Sequence, residues 1–168
     1  MFSGRFGDTT GSPYLEALVN FPRLKKETGV SFLVDTGADE TLLMPADARK
    51  AGIDYRRLGN ETFVGGISGP LKCFAEKAFL VLSDNNRLII YGINILIADK
   101  GVFGSGHCPS ILGRDVLNRL RINYNPSKKR LIFVKVSADF VVPLKKRGAK
   151  RIMRRFQSRM KELKRLPD

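Results

Sequence analysis

Apolar segments in this chain are short, and each is cut off by Gly, Pro, Asn or Ser within a few residues. Tyr14 to Asn20 and Val30 to Val34 flank the polar turn Lys25-Lys26-Glu27-Thr28-Gly29, and Phe79 to Leu82 and Leu88 to Ile97 supply further strands. Tyr124-Asn125-Pro126-Ser127-Lys128 then turns between Arg121 to Asn123 and Leu131 to Lys135. Runs of this length with this punctuation predict an all-β fold. Two helical stretches interrupt it, Pro45 to Ala51 and Asp115 to Leu120. A chain of 168 residues, 43% hydrophobic, supports one core and is too short for two lobes.

Within that pattern, Phe32-Leu33-Val34-Asp35-Thr36-Gly37-Ala38-Asp39 carries the chemistry. The run Val30 to Val34 is expected to be buried, so Asp35 emerges at a strand end into a turn where a lone carboxylate is expensive to ionise and needs a partner. Thr36 can hydrogen-bond locally, Gly37 allows close backbone approach and Ala38 adds no bulk. Two further segments stand out. In Val64-Gly65-Gly66-Ile67-Ser68-Gly69-Pro70, followed by Leu71-Lys72-Cys73-Phe74, glycines alternate with an apolar tip between two strands, the pattern of a mobile hairpin with few packing contacts. Ser110-Ile111-Leu112-Gly113-Arg114-Asp115-Val116-Leu117 reads as an apolar strand end, a glycine and a short helix with Val116, Leu117 and Leu120 on one side.

Asp35-Thr36-Gly37 with these flanks resembles the aspartic-protease signature, in the form found in the retroviral proteases, the retropepsins, more than in the two-lobed pepsins. The resemblance covers roughly residues 10 to 136, with the acid, the Gly-rich hairpin and the Gly-Arg segment in family order. It implies a retropepsin-like closed β-barrel with one short helix after Gly113-Arg114. It also implies Asp35, Thr36 and Gly37 as the catalytic turn. Ala38, Asp39, Glu40, Gly65, Gly66, Ile67 and Leu112 would then contact substrate, the hairpin serving as a flap. Gly113 and Arg114 would be structural support, with Arg114 pairing a buried Asp39 carboxylate. Asp115 stands where retroviral members often carry a neutral amide.

The chemistry of that family requires two carboxylates, and only one Asp-Thr-Gly occurs here, with no Asp-Ser-Gly. The second acid is therefore expected from a second copy, a homodimer with Asp35 on both sides of its two-fold axis. The function implied is an aspartic endopeptidase acting on extended apolar peptide or protein substrates without a cofactor. The alternative is an inactive retropepsin-fold dimerisation module that binds nucleic acid or another anionic partner through its basic tail. An acid-bearing turn kept together with a Gly-rich hairpin favours the enzyme.

Other chemistries have less to stand on. His107 is the single histidine, and Gly104-Ser105-Gly106-His107-Cys108 reads more simply as a loop than as a nucleophile with its base. One histidine and two distant cysteines make no zinc spacing, so no metal is expected, and Cys73 and Cys108 read as free thiols. Met1 to Gly11 shows no secretory pattern and no apolar run reaches the length of a membrane span, which makes a cytoplasmic location the expectation. The net charge of +14 is concentrated at one end: Leu144 to Asp168 holds eleven Lys or Arg against two acids. Residues 1–143 are accordingly assigned to the protease domain and 144–168 to a basic tail. In the tail, Ile152, Phe156, Met160 and Leu163 follow helical spacing while Arg151, Arg154, Arg155, Arg159 and Lys161 fill the other faces, a basic amphipathic helix. Such a helix suits nucleic acid, an acidic membrane surface or an acidic groove, or else packs its apolar stripe on its own domain.

Overall fold

The computed structural model describes residues 1–66, 69–84, 86–101 and 108–144, together with 151, 154 and 158. Two short strands, β1 (Phe2–Ser3) and β2 (Arg5–Phe6), precede the hairpin of β3 (Pro13–Phe21) and β4 (Lys26–Val34). β5 (Leu42–Leu43), helix α1 (Pro45–Lys50) and a 3-10 turn (Tyr55–Arg57) follow. The long strands come next: β6 (Glu61–Gly66), β7 (Gly69–Ser83) and β8 (Arg87–Ala98). β9 (Ile111–Leu112), helix α2 (Arg114–Leu117), β10 (Leu120–Asn125), β11 (Arg130–Lys135) and β12 (Phe140–Pro143) complete the described fold.

The expected all-β architecture is present, and its hydrogen bonds close on themselves. β3 pairs β4, β4 pairs β9, β9 pairs β5, β5 pairs β8, β8 pairs β7 and β7 returns to β3. β12 adds to β8 and β6 to β7, while β1, β11 and β10 form a separate three-stranded sheet over one end. Strand periodicity sets the core. Leu15, Ala17, Val19 and Phe21 of β3 face inward with Val30 and Phe32 of β4, Leu80 and Leu82 of β7, and Ile89, Tyr91 and Ile95 of β8. Phe2, Leu131 and Phe133 of the small sheet join the same cluster.

Two local expectations change. Val30 and Phe32 are fully buried, but Ser31 and Leu33 are only half-buried, because a barrel wall has one inward face and buries alternate residues; Val34, the last residue of β4, packs on the core from a half-buried position. The β3–β4 turn lies at Pro22-Arg23-Leu24-Lys25 rather than at residues 25–29. Phe21 pairs with Lys26 and Asn20 with Glu27, so Thr28 and Gly29 are drawn into β4, and Lys25 makes the turn with φ +55°. The second predicted helix is likewise shorter, since Leu120 already belongs to β10.

Asp84 ties the β7–β8 connection together. Its carboxylate accepts hydrogen bonds from the Asn86 and Arg87 amides at 3.0 and 2.8 Å, from the Arg87 guanidinium at 2.9 Å and from the Met1 ammonium at 3.2 Å. Burial alone would raise its pKa, but these donors outweigh it and hold the carboxyl at about 2. A depressed carboxyl stabilises the fold above the usual carboxylate range, near roughly pH 4, and that stabilisation disappears as pH falls through about 2. Asp84→Asn is therefore expected to lower stability by about 1–2 kcal/mol at neutral pH. Urea unfolding at a series of pH values should show the gap closing on acidification. A gap that stays constant would mean that the site does not act through charge.

Candidate active site

β9 lies between β4 and β5: Leu33 and Val34 run parallel to Ile111 and Leu112, and Leu42 pairs antiparallel with Ile111. The loop from β4 to β5, residues 35–41, must therefore cross over the end of β9, and Gly113 is the residue it crosses. A Cβ on Gly113 would lie 2.4 Å from the carbonyl carbon of Glu40 and 2.5 Å from its oxygen, so the crossing admits only glycine.

Backbone hydrogen bonds fasten the loop on that crossing. The Asp35 N–H donates to the Leu112 carbonyl at 3.2 Å, and the carbonyls of Ala38 and Asp39 accept the N–H groups of Arg114 and Asp115 at 2.9 and 3.0 Å. Those two amides begin α2, where the helix has no acceptor of its own to offer them. Buried Thr41 completes the closure. Its amide and its hydroxyl donate to the two oxygens of Asp115 at 3.1 and 2.7 Å, and the hydroxyl oxygen accepts the Gly113 N–H at 3.2 Å. Because Gly113 takes the hydroxyl as an acceptor, the hydroxyl proton goes to Asp115, and a carboxylate, which accepts at both oxygens, is the side chain that fits. Asp115, left without a role by the resemblance, is thus the far end of this network. Thr41 carried no signal in the sequence; an acid just inside a helix start was the one available hint.

On the loop, Asp35 is half-buried, and its Oδ1 accepts the Gly37 N–H at 2.8 Å. A Cβ on Gly37 would sit 3.1 Å from that oxygen, a tight approach that keeps the turn small. Thr36, Gly37 and Glu40 are exposed. The Arg114 guanidinium bonds the Asp39 carboxylate across the loop as expected, but the pair is not buried: the side chains are 47% and 81% exposed. An exposed pair contributes about 0–1 kcal/mol. The loop is accordingly held by the Gly113 crossing and the Thr41–Asp115 network more than by this ion pair. Leu112 also departs from expectation. It is fully buried in the main core, so it supports the Asp35 turn from behind and does not line a cleft in this chain.

The Gly-rich segment forms the β6–β7 hairpin. Gly66 pairs with Gly69, which has φ +104°, and Gly65 has open space where a Cβ would be. Ile67, the expected tip residue, lies outside the described residues, as does His107. At the base, the cross-strand pair Val64 and Leu71 packs on an apolar cluster containing Leu42, Met44, Leu96 and Ile111, residues of the strands that flank Asp35 and of the turn after β5. Cys73 is buried in the same cluster, where desolvation, reinforced by the charges of Glu40 and Asp99, pushes its thiol up to about 11. The hairpin root is stapled by the Ala75 N–H to Asn60 and the Asp99 N–H to Lys72, both at 3.0 Å, and by a Lys72–Glu61 ion pair at 2.8 Å. The structure thus brings the Asp35 turn, the hairpin base and Gly113-Arg114 together.

The sequence profile of the aspartyl proteases matches residues 23–116, more than half of the 168, and takes in the Asp35 turn, the Gly-rich hairpin and Gly113-Arg114. The chain belongs to the aspartyl protease family. A retropepsin-like aspartic protease from Rickettsia conorii superposes with a TM-score of 0.52 at 20% identity, covering 78% of this chain and 96% of that one. EIAV protease in complex with an inhibitor superposes over 67% of this chain and 90% of its own, at 23% identity and a TM-score of 0.46. No curated protein matches. The Rickettsia structure establishes the retropepsin-like fold for this aspartyl protease chain. A groove of about 490 Å³ elsewhere on the barrel is lined by Pro22, Arg23, Lys77, Phe79, Gly92 and Asn94 among others, none of them from the Asp35 turn or from the part of β7 that pairs with β6.

These contacts rank the supports of the loop. Gly113→Ala should destabilise the fold by about 2–3 kcal/mol, because backbone must move to admit the methyl. Asp115→Asn should cost about 1–2 kcal/mol, since one of its two acceptor positions becomes a donor facing a donor. Arg114→Ala should cost no more than about 1 kcal/mol. Urea denaturation at low protein concentration tests the order; a loss at Arg114 exceeding that at Gly113 would make the ion pair the principal support.

Proposed function

We propose that two copies of this chain assemble about a two-fold axis passing between their Asp35 turns, and that the paired Asp35 carboxyls hydrolyse peptide bonds. One observation carries this reading: the sequence holds a single Asp-Thr-Gly, and it sits on a turn whose outer side, at Thr36, Gly37 and Asp39, is open to solvent. A two-fold axis makes one patch meet itself, so a second copy covers that side and supplies the missing acid in one step.

The chemistry follows from like charges at close range. Two carboxyl groups sharing a site hold one proton between them over a wide pH range. The ionised member takes a proton from a bound water, whose oxygen attacks the scissile carbonyl, while the protonated member donates to the carbonyl oxygen. The tetrahedral intermediate then collapses with proton transfer to the departing amine, and no acyl-enzyme forms. Thr36 and Gly37 shape the turn, and Ala38, Asp39 and Glu40 border the substrate. The β6–β7 hairpin acts as a flap, with Gly65, Gly66 and Ile67 over the peptide. The apolar base formed by Val64, Leu71, Leu42 and Ile111 supports a preference for apolar side chains in an extended substrate.

Cleavage of an unstructured peptide library by the wild type and by Asp35→Asn tests the catalytic claim, with a loss of at least about 100-fold expected in the variant. Equal rates in the two proteins would refute it. The rate should also describe a bell against pH, and a monotonic rise into the alkaline range would contradict a shared proton. Sedimentation should give twice the chain mass under the conditions of activity; an active monomer would remove the second Asp35 from the mechanism.

A further inference from the structure

The outer side of the barrel carries a second apolar surface, far along β7 and β8 from the hairpin base. Cross-strand pairing puts Leu18 beside Val81, Val81 beside Ile90, and Ile90 beside Phe140, one continuous row over β3, β7, β8 and β12. Leu88 pairs with Val142 in the next row. Leu18, Val81, Leu88 and Ile90 alternate with residues of the main core, so they point away from it. Yet Leu18, Val81 and Leu88 are only 3%, 5% and 0% exposed, which on an outward face requires a cover. Phe79 and Phe140, at the margin, are 38% and 56% exposed and mark where that cover ends.

The chain itself arrives at this surface. Leu144 packs on the same cluster, and its N–H donates to the Asn86 carbonyl at 2.8 Å, so the basic tail begins there. The stripe Ile152, Phe156, Met160 and Leu163 spans about 17 Å as a helix, against about 14 Å across four paired strands. Arg151, Arg154 and Ser158 are helical and exposed, and at 100° per residue they lie on the side of the helix opposite that stripe. Glu16 and Glu27 border the apolar row on β3 and β4, opposite in sign to the basic flanks of the tail and complementary to them. A tether of a few residues also gives the tail a local concentration that a second molecule would have to reach in solution.

We propose that residues 145–168 fold back on their own domain as a basic amphipathic helix whose apolar stripe covers the outer face at Leu18, Val81, Leu88 and Ile90, leaving the Arg and Lys side, marked by Arg151 and Arg154, open to solvent. The tail is then part of the fold and displays its charge from a fixed position. Its apolar residues are spent inside the chain and are not offered to a membrane.

Amide hydrogen exchange on the full chain tests this. In the double variant Ile152→Asp with Phe156→Asp, amides of β12 and of Leu88 to Ile90 should exchange at least about tenfold faster, while those of the β3–β4 hairpin keep their protection and show that the barrel is intact. Arg151→Glu with Arg154→Glu should leave β12 protection within about twofold. Unchanged exchange at β12 in the first variant would overturn the proposal. So would wild-type protection at β12 that falls tenfold on dilution, since the cover would then be a second copy. Loss of binding to phosphatidylglycerol vesicles in the first variant, without faster exchange, would instead assign the stripe to a membrane surface and equally overturn it.

Discussion

The passage of the 35–41 loop over Gly113 is the contact on which the arrangement of this protein depends. β9 is only two residues long, but it separates β4 from β5, and the loop joining those two strands can clear it only by lying directly on the backbone at Gly113. A side chain there would lift the loop, and with it Asp35, off the amides of α2. Once the loop is seated, each close polar group has a partner: Arg114 and Asp115 amides with the carbonyls above them, Gly113 with the Thr41 hydroxyl, and Thr41 with Asp115. Directional bonds of this kind position a group more firmly than an exposed ion pair between two long side chains does.

The long strands β7 and β8 extend that local arrangement through the molecule. Their inward residues fill the barrel; their outward residues at one end support the hairpin base beside Asp35, and at the other end form the face reached by Leu144. The same pair of strands thus links the candidate active site to the start of the basic tail. Asp84 and Asp139 secure the far end. Asp139 accepts an Arg119 guanidinium hydrogen at 3.0 Å and the Gly92 N–H at 2.8 Å, bonds that in that order hold its pKa below the usual carboxylate range and fix the start of β12 against β8.

Much of this was legible in the sequence, for reasons that are local. Short apolar runs with Gly, Pro and Asn at their ends gave strands and turns, and helix α1 follows from Pro45 opening a stretch of helix formers. The strand-to-acid junction at Asp35 and the Gly-rich hairpin were visible because their residue types are demanded by backbone geometry. What was not legible depended on pairing. The β3–β4 turn lies closer to the N-terminus because Lys26 and Glu27 pair with Phe21 and Asn20, a register that residue type alone does not set. Asp115 and Thr41 are 74 positions apart, and neither announces the other.

By itself, then, the sequence determined the fold class, the identity of the acid-bearing turn and the concentration of positive charge at one end, all properties of residue type and near-neighbour order. Tertiary structure decided the rest. It placed Leu112 in the core instead of a cleft, left Asp39 and Arg114 exposed, recruited Asp115 and Thr41 to hold the loop, and turned Leu18, Val81 and Leu88 to a covered outer face. The physical reason is that burial and hydrogen-bond partnership are relations between strands. A short sequence window sets which way a side chain alternates, but only the closed sheet sets what stands opposite it.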